Sequence, residues 1–428
     1  MLADKVIGNM VGLWLLAPEH LRLGTWDLLG GWTNSGAAGL PRRLAMQLIH
    51  ESALCVTGIR QERCLNHKGF ELVNGLPFVA TDTAIHGMLD EHTVREAREL
   101  QIALGRIRQT RGHFQGTLLA IDPHRLASYS KRHMRQRKTH PGARSAKMSQ
   151  TFFCLDADTC QPVCLLLSTP ARTVAAATPD LLGMAAEILN STQTALVLAD
   201  CEHFTLDLLK EVRQEGRFDL LVPMPQQPYF RRRLRAIPPE QFTPHWAGYA
   251  TAKVPYDLLD DDQPPLTMLV QRFGERADRF AWNAFVCTAD RPEVPTLTEA
   301  FPKRWHVEEF FNANQAMGWQ RAGTQNLNIR YGRMSLALIA QAATHQLRKR
   351  LDETTAAWDA KHLAAEVLAG MEGDIRVRDD TILVTYYNAP RSEQLRAHYE
   401  RMPARLAAEG IDPRIPWLYN LKLDFRFR

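Results

Sequence analysis

Between Gly116 and Pro223 short apolar runs alternate with helical stretches, and this order constrains the fold more than any other feature of the sequence. Residues 117–121 (TLLAI) read as a buried strand, closed by the turn pair Asp122-Pro123. Residues 151–155 and 163–167 are two further strands. The turn-rich stretch 156–162 between them predicts a hairpin. Residues 179–189 then read as helix, 195–199 as strand ending at Asp200, 205–215 as helix and 220–223 as strand. Three strands, helix, strand, helix, strand is the order of a mixed α/β sheet.

The flanks differ. Residues 40–56 and 91–110 have helical apolar periodicity, with a short helix over 82–89, so the first 112 residues form an N-terminal helical region. The stretch 6–18 reads as a buried helix rather than a signal peptide, because Asn9 interrupts it, Asp4 precedes it and no small-residue cleavage site follows. Residues 229–291 break the α/β rhythm. They begin with an arginine cluster, contain the acidic turn 260–262, and continue as strands 267–273 and 280–287, so they predict an all-β insertion. Helices return over 307–317 and 334–351. The C-terminal part predicts a helix at 360–368, a hairpin turning at Asp379-Asp380, and a last helix over 393–408. The division expected is 1–112 for the helical region, 113–228 and 292–352 for the two parts of one α/β domain, 229–291 for the insertion and 353–428 for an α/β extension.

No apolar run approaches the roughly 18 residues a membrane helix needs. Seven cysteines scattered over 428 residues suggest reduced thiols and a cytoplasmic setting. Cys160 and Cys164 lie on a strand-like stretch, and Cys55, Cys64 and His67 lack zinc-site spacing, so small buried side chains are their expected role. The net charge of +5 conceals an asymmetry. Residues 123–155 hold eight basic residues and no acidic one, leaving −3 for the rest. Arg125, Lys131, Arg132, Arg135, Arg137, Lys138, Arg144 and Lys147 form this run, interleaved with Tyr129, His133 and His140. Arg231, Arg232, Arg233 and Arg235 form a second cluster. Such segments neutralise phosphates, and their binding to nucleic acid weakens steeply with salt.

Asp122 and Asp200 each close an apolar strand. A carboxylate there suits a ligand or metal, although aspartate also ends strands simply by starting turns. A third element decides between these. Phe301-Pro-Lys303-Arg304-Trp305-His306-Val307-Glu308-Glu309-Phe310-Phe311 opens a helix with Arg304 four residues before Glu308. With it, the sequence resembles the bacterial insertion-sequence transposases of the DDE class, in the branch whose last motif runs Tyr-x2-Arg-x3-Glu-x6-Lys. The resemblance covers about residues 115–350. Phe301 stands where that motif has Tyr, and Gln315 where it has Lys.

The resemblance implies an RNase H-like catalytic domain with helical and α/β additions at its ends. It also implies Mg²⁺ or Mn²⁺ as cofactor, two ions held by Asp122, Asp200 and Glu308. In-line cutting of a phosphodiester develops charge on the attacking and leaving oxygens, and two ions about 3.5–4 Å apart stabilise both. In this scheme Asp122 bridges the ions while Asp200 and Glu308 hold one each. Water attacks first, and the freed 3′-hydroxyl then attacks target DNA. Glu309 points about 100° away from Glu308 on a helix and reads as a surface carboxylate.

The implied partner is double-stranded DNA, at inverted-repeat element ends and at the target. The implied assembly is a homodimer in a synaptic complex, in the nucleoid and with no membrane. Arg304 joins the basic residues as a DNA contact. The N-terminal region binds element ends, and the insertion contacts them as well, with Trp246 and Trp282 as its aromatic candidates; core packing is the expected role of both. The alternatives are a transposase-derived DNA-binding protein that has lost catalysis, and another RNase H-like nuclease. The long insertion argues against the second.

Overall fold

The computed structural model describes the chain except residues 1–4, 9, 35–38, 57–64, 66–67, 129–132, 134–135, 139–141, 143, 169–170, 259–263, 321–323, 325 and 391, together with the side chain of Arg137. The chain divides into two compact units. One joins Met1–Arg108 to Phe311–Arg428, and the other is Gln109–Phe310.

The Gln109–Phe310 unit is built on a ten-stranded sheet. Its strands are β1 (Leu118–Ala127), β2 (Gln136–Arg137), β3 (Ala146–Asp156), β4 (Gln161–Ser168), β5 (Ala195–Leu198), β6 (Phe218–Pro223), β7 (Thr243–Trp246), β8 (Tyr249–Tyr256), β9 (Leu266–Phe273) and β10 (Ala281–Cys287). The order β4-β3-β1-β5-β6 has β1, β3 and β4 antiparallel and β1, β5 and β6 parallel. This is the mixed α/β sheet that the alternation of strands and helices predicts. Helix α1 (Val174–Leu189) packs on β3 and β4, and α2 (Leu206–Glu215) packs on β6. Helix α1 begins five residues before Pro179, because the Thr173 hydroxyl accepts from Ala176 N and caps it there.

Strand β1 does not end at Asp122-Pro123. It runs on to Ala127, paired with β3 throughout, whereas β5 pairs with it only over Leu118–Ala120. The Ser128 amide donates to Lys147 O. Strand alternation then turns the Pro123 nitrogen to the opposite edge, beyond the end of β5, where a missing donor costs nothing.

The insertion also differs from an all-β module. It opens with helix α3 (Pro228–Arg235), which Pro228 starts with a preset backbone angle. Its four strands are not a separate sheet. β10 pairs with β6 through Phe285↔Pro223, Val286↔Val222 and Cys287↔Leu221, so β10, β9, β8 and β7 extend the main sheet outward. The acidic turn 260–262 lies outside the described residues.

In the other unit, the predicted helices appear at Leu40–Ala53, Asp82–Asp90 and Val94–Thr110. The last starts with a capping box. Glu96 N donates to the Thr93 hydroxyl while Thr93 N donates to Glu96. Residues 6–18 are not one helix. Val6–Gly8 is a strand, Met10 takes a left-handed backbone, and a 3₁₀ turn, Val11–Leu15, leads into helix Leu16–Arg22. Gly12 lies so close to Val367 O that a Cβ would stand 1.9 Å from it. The first strand pairs with Gly373–Arg378, so the two ends of the chain share one five-stranded sheet with Thr381–Tyr386, Leu421–Phe427 and Arg414–Ile415. Helix Leu327–Arg348, a single helix buried along most of its length, packs on Leu40–Ala53. The predicted final helix is two, Ser392–Tyr399 and Met402–Ala408, broken at Arg401 with φ of 59°. No helix among the described residues is long and apolar enough to cross a membrane.

Candidate active site

Strand register brings the two aspartates together. Leu118, Leu119 and Ala120 of β1 pair with Leu196, Val197 and Leu198 of β5, a constant offset of 78 residues. Asp122 and Asp200 have the same offset, so they stand side by side just beyond the last paired residues. The charge of Asp200 acts on Asp122 accordingly. Burial, and secondarily that charge, pushes the Asp122 carboxyl up to about 7, while Arg304 opposes the rise.

Asp200 caps the 3₁₀ turn Cys201–His203. Its Oδ1 accepts from Glu202 N at 3.1 Å and from His203 Nδ1 at 2.6 Å. Desolvation works to raise the Asp200 pKa, but the His203 contact and the turn amide together hold it below the usual carboxylate value.

The third carboxylate arrives on helix α4 (His306–Asn314), entered through the tight turn Phe301–Trp305. Three contacts fix that entry against the β3–β4 hairpin. Lys303 Nζ lies 2.6 Å from Asp158 Oδ1, His306 Nδ1 donates to Ala157 O at 2.6 Å, and Phe310 packs on Phe153 at 6.3 Å. Phe301 sits edge-on to Phe285 at 4.6 Å, so its ring is held by packing. The hairpin turn is itself anchored by buried Asp156, which accepts from Gly116 N and from the Thr159 amide and hydroxyl.

Arg304 completes the cluster. Its guanidinium is 3.8 Å from Asp122 Oδ1 and 3.6 Å from Glu308 Oε1, and it lies over the Trp305 ring at 5.0 Å. Only 12% of its side chain is exposed. Glu309 is exposed and acts on Cys160 in the hairpin turn instead.

The donors available here are hard carboxylate oxygens. Partial desolvation and the charges of Asp200 and Glu202 push the neighbouring Cys201 thiol up. A carboxylate set fits a hard divalent cation. Among the described residues, however, no three His, Cys, Asp or Glu side chains stand as a ready metal cluster. The Arg304 cation occupies the space between Asp122 and Glu308.

A family model described as a transposase DDE domain matches residues 113–342. The chain belongs to the DDE transposase family. The match begins just before β1 and ends within helix Leu327–Arg348. No curated protein sequence matches the chain. Among solved structures, the cryo-EM structure of the piggyBac transposase synaptic complex with hairpin DNA is similar at 10% identity and a TM-score of 0.45, over 86% of this chain and 82% of that one. DDE transposases work with divalent metal ions.

The basic residues fall into separate places. Arg125 is not presented to solvent. It forms a two-pronged pair with Glu202 and donates to Gln150, with 11% of its side chain exposed. Lys138 and Arg144 are exposed, Lys147 is half-buried on β3, and Arg137 lies on β2. Lys131, Arg132 and Arg135 lie outside the described residues, as do Tyr129, His140, Cys64 and His67. Arg231 and Arg232 are exposed on α3, while Arg233 lies over the Tyr256 ring at 5.3 Å. Trp282 is half-buried beside Phe280, but Trp246 is not in a core. It is 53% exposed on β7 and stacks on Tyr249 at 4.2 Å; among the described residues β7 pairs only with β8. Sequence reasoning missed the roles of Glu202 and His203. The available signal was the polar turn Cys201-Glu202-His203 directly after Asp200.

Proposed function

We propose that the chain is the DNA transposase of an insertion sequence, cutting at the element's ends and joining the freed end to target DNA. The observation carrying this reading is the convergence of Asp122 from β1 and Glu308 from α4 on the Arg304 guanidinium, with Asp200, from just after β5, close enough for its charge to act on Asp122. Asp122, Asp200 and Glu308 hold Mg²⁺ or Mn²⁺ in this reading, with Asp122 central because both Asp200 and Glu308 act on it. Two bound ions supply Lewis-acid stabilisation of the attacking and leaving oxygens. Arg304, already between two of the ligands, turns to a DNA phosphate when the site is loaded. Arg231 and Arg232 on α3, with Lys138 and Arg144, hold the duplex backbone. The working form is a homodimer pairing two ends in the nucleoid.

The second reading, a DNA-binding descendant without catalysis, is favoured by one observation, the Arg304 cation standing where the ligands would converge. End cleavage and strand transfer in Mg²⁺, on DNA flanking the gene, separate the two. Nicking or cutting at the ends supports the transposase. A protein that binds ends and never cuts them under any divalent ion supports the second reading.

A further inference from the structure

Asp200 is held by the turn that follows it. Its Oδ1 takes two donors, the Glu202 amide and the His203 ring. A cap bond to one amide leaves the terminal carboxylate torsion broad, because that torsion has only shallow minima. A second donor on the same oxygen, from a ring that cannot move, removes that freedom. His203 meets this requirement, with 2% of its side chain exposed in a turn packed on α1 and β6.

The turn is held on both sides of the histidine. Downstream, Thr205 N donates to His203 O at 2.9 Å, and the Thr205 hydroxyl accepts from Leu208 N to start α2. On the outer side, Glu202 is gripped by Arg125, which extends from β1 three residues beyond Asp122 and is itself tied to Gln150 on β3. The strand carrying the first aspartate therefore braces the turn carrying the second.

We propose that His203 is a positioning residue, whose Nδ1–H locks Asp200 so that a single oxygen is offered to the metal site. The inference rests on the reading of Asp200 as a metal ligand. Outer-shell partners of this kind set metal affinity by about 10–100-fold.

The test is direct Mn²⁺ binding to the full chain without DNA, by electron paramagnetic resonance of the free ion, with thermal melts in parallel. Four variants are compared with the wild type. Asp122→Asn abolishes binding. His203→Asn keeps an amide donor where Nδ1 stands and binds within about threefold of wild type. His203→Gln places its donor at the Nε2 position, and His203→Leu has none; both weaken binding by about tenfold or more. Rescue by Asn but not Gln is a pattern that loss of packing alone does not produce. If the Leu variant does not fold, the Asn and Gln pair decides. Equal binding by the Gln and Asn variants, with Asp122→Asn still dead, overturns the positioning role and leaves the metal site standing. Wild-type protein that binds no Mn²⁺, or Asp122→Asn protein that binds it normally, overturns both.

Discussion

Arg304 Nη1 lies 3.8 Å from Asp122 Oδ1, so the arginine of the last motif reaches across to the aspartate of the first, 182 residues earlier in the chain. A cation on α4's entry turn thus holds the sheet and helix parts of the site together. We predict that Arg304→Gln lowers stability by roughly 1–2 kcal/mol without divalent ions, since the clustered carboxylates lose a partner. Added Mg²⁺ should raise the melting temperature of the variant more than that of the wild type. Equal shifts in both would count against the arginine as a stand-in cation.

The carboxylates themselves should behave alike. Asp122→Asn, Asp200→Asn and Glu308→Gln are each expected to reduce end cleavage by on the order of 10³-fold, the rate equivalent of several kcal/mol of lost transition-state stabilisation. Gel-shift binding to the ends should survive in all three. Full cleavage by Glu308→Gln protein would remove Glu308 from the ligand set.

Asp156 lies near the site but serves the fold. It is fully buried and accepts three hydrogen bonds that pin Gly116 and Thr159. Asp156→Ala should cost about 2–4 kcal/mol, because buried donors are left unpaired. Urea denaturation measures this, and a loss below about 0.5 kcal/mol would mean that the turn re-forms without it.

Acid should destabilise the unit that joins the chain ends. His50 Nδ1 donates to Asn74 Oδ1, because the Asn74 amide nitrogen is committed to Phe70 O, and burial pushes the ring down to about 4. The unfolded ring titrates near 6.5. Below that pH the unfolded chain takes up a proton that the folded chain refuses, so stability falls as pH drops from about 6.5 toward 4 and is flat above. Buried His20 and half-buried His345 shift the same way. The melting temperature should therefore decline between about pH 7 and 5, and His50→Gln should flatten that decline even while lowering the melting temperature overall. An unchanged slope would mean that His50 binds its proton equally well in the folded and unfolded chain.

Arg231 and Arg232 should act on DNA through charge alone. Replacing both with Ala is expected to leave the melting temperature unchanged and to reduce the slope of log affinity against log salt by about 2, near 0.9 for each phosphate no longer neutralised. Binding isotherms at several salt concentrations read this directly.

The succession of strands and helices in the main sheet was legible because it rests on local pattern, the apolar runs, and the three carboxylates proposed as ligands were picked out by local pattern too: an aspartate after a run, and a spaced Arg–Glu pair on a helix. Pairings between distant segments were not. Arg125 looked like a free cation because its partner Glu202 is 77 residues away. The continuation of β1 past Pro123 depends on β3, which pairs with it as far as Ala127. Val6–Gly8 became a strand only through pairing with residues more than 360 positions later. Trp246 looked like core because a large aromatic usually is. Its exposure goes with β7 standing last in the sheet among the described residues, a fact of topology rather than of the residues around it.

The pairing of β6 with β10 has one more consequence. Among the described residues the insertion's last strand in the sheet, β7, pairs only with β8, so the insertion could be lengthened there but could not be cut out at the root. Removing residues 229–291 would strip the hydrogen-bond partners from Leu221–Pro223 and leave a bare hydrophobic border of the kind that polymerises. The insertion is therefore the continuation of the main sheet beyond β6, and a shortened form of this unit would need it to cover Leu221–Pro223.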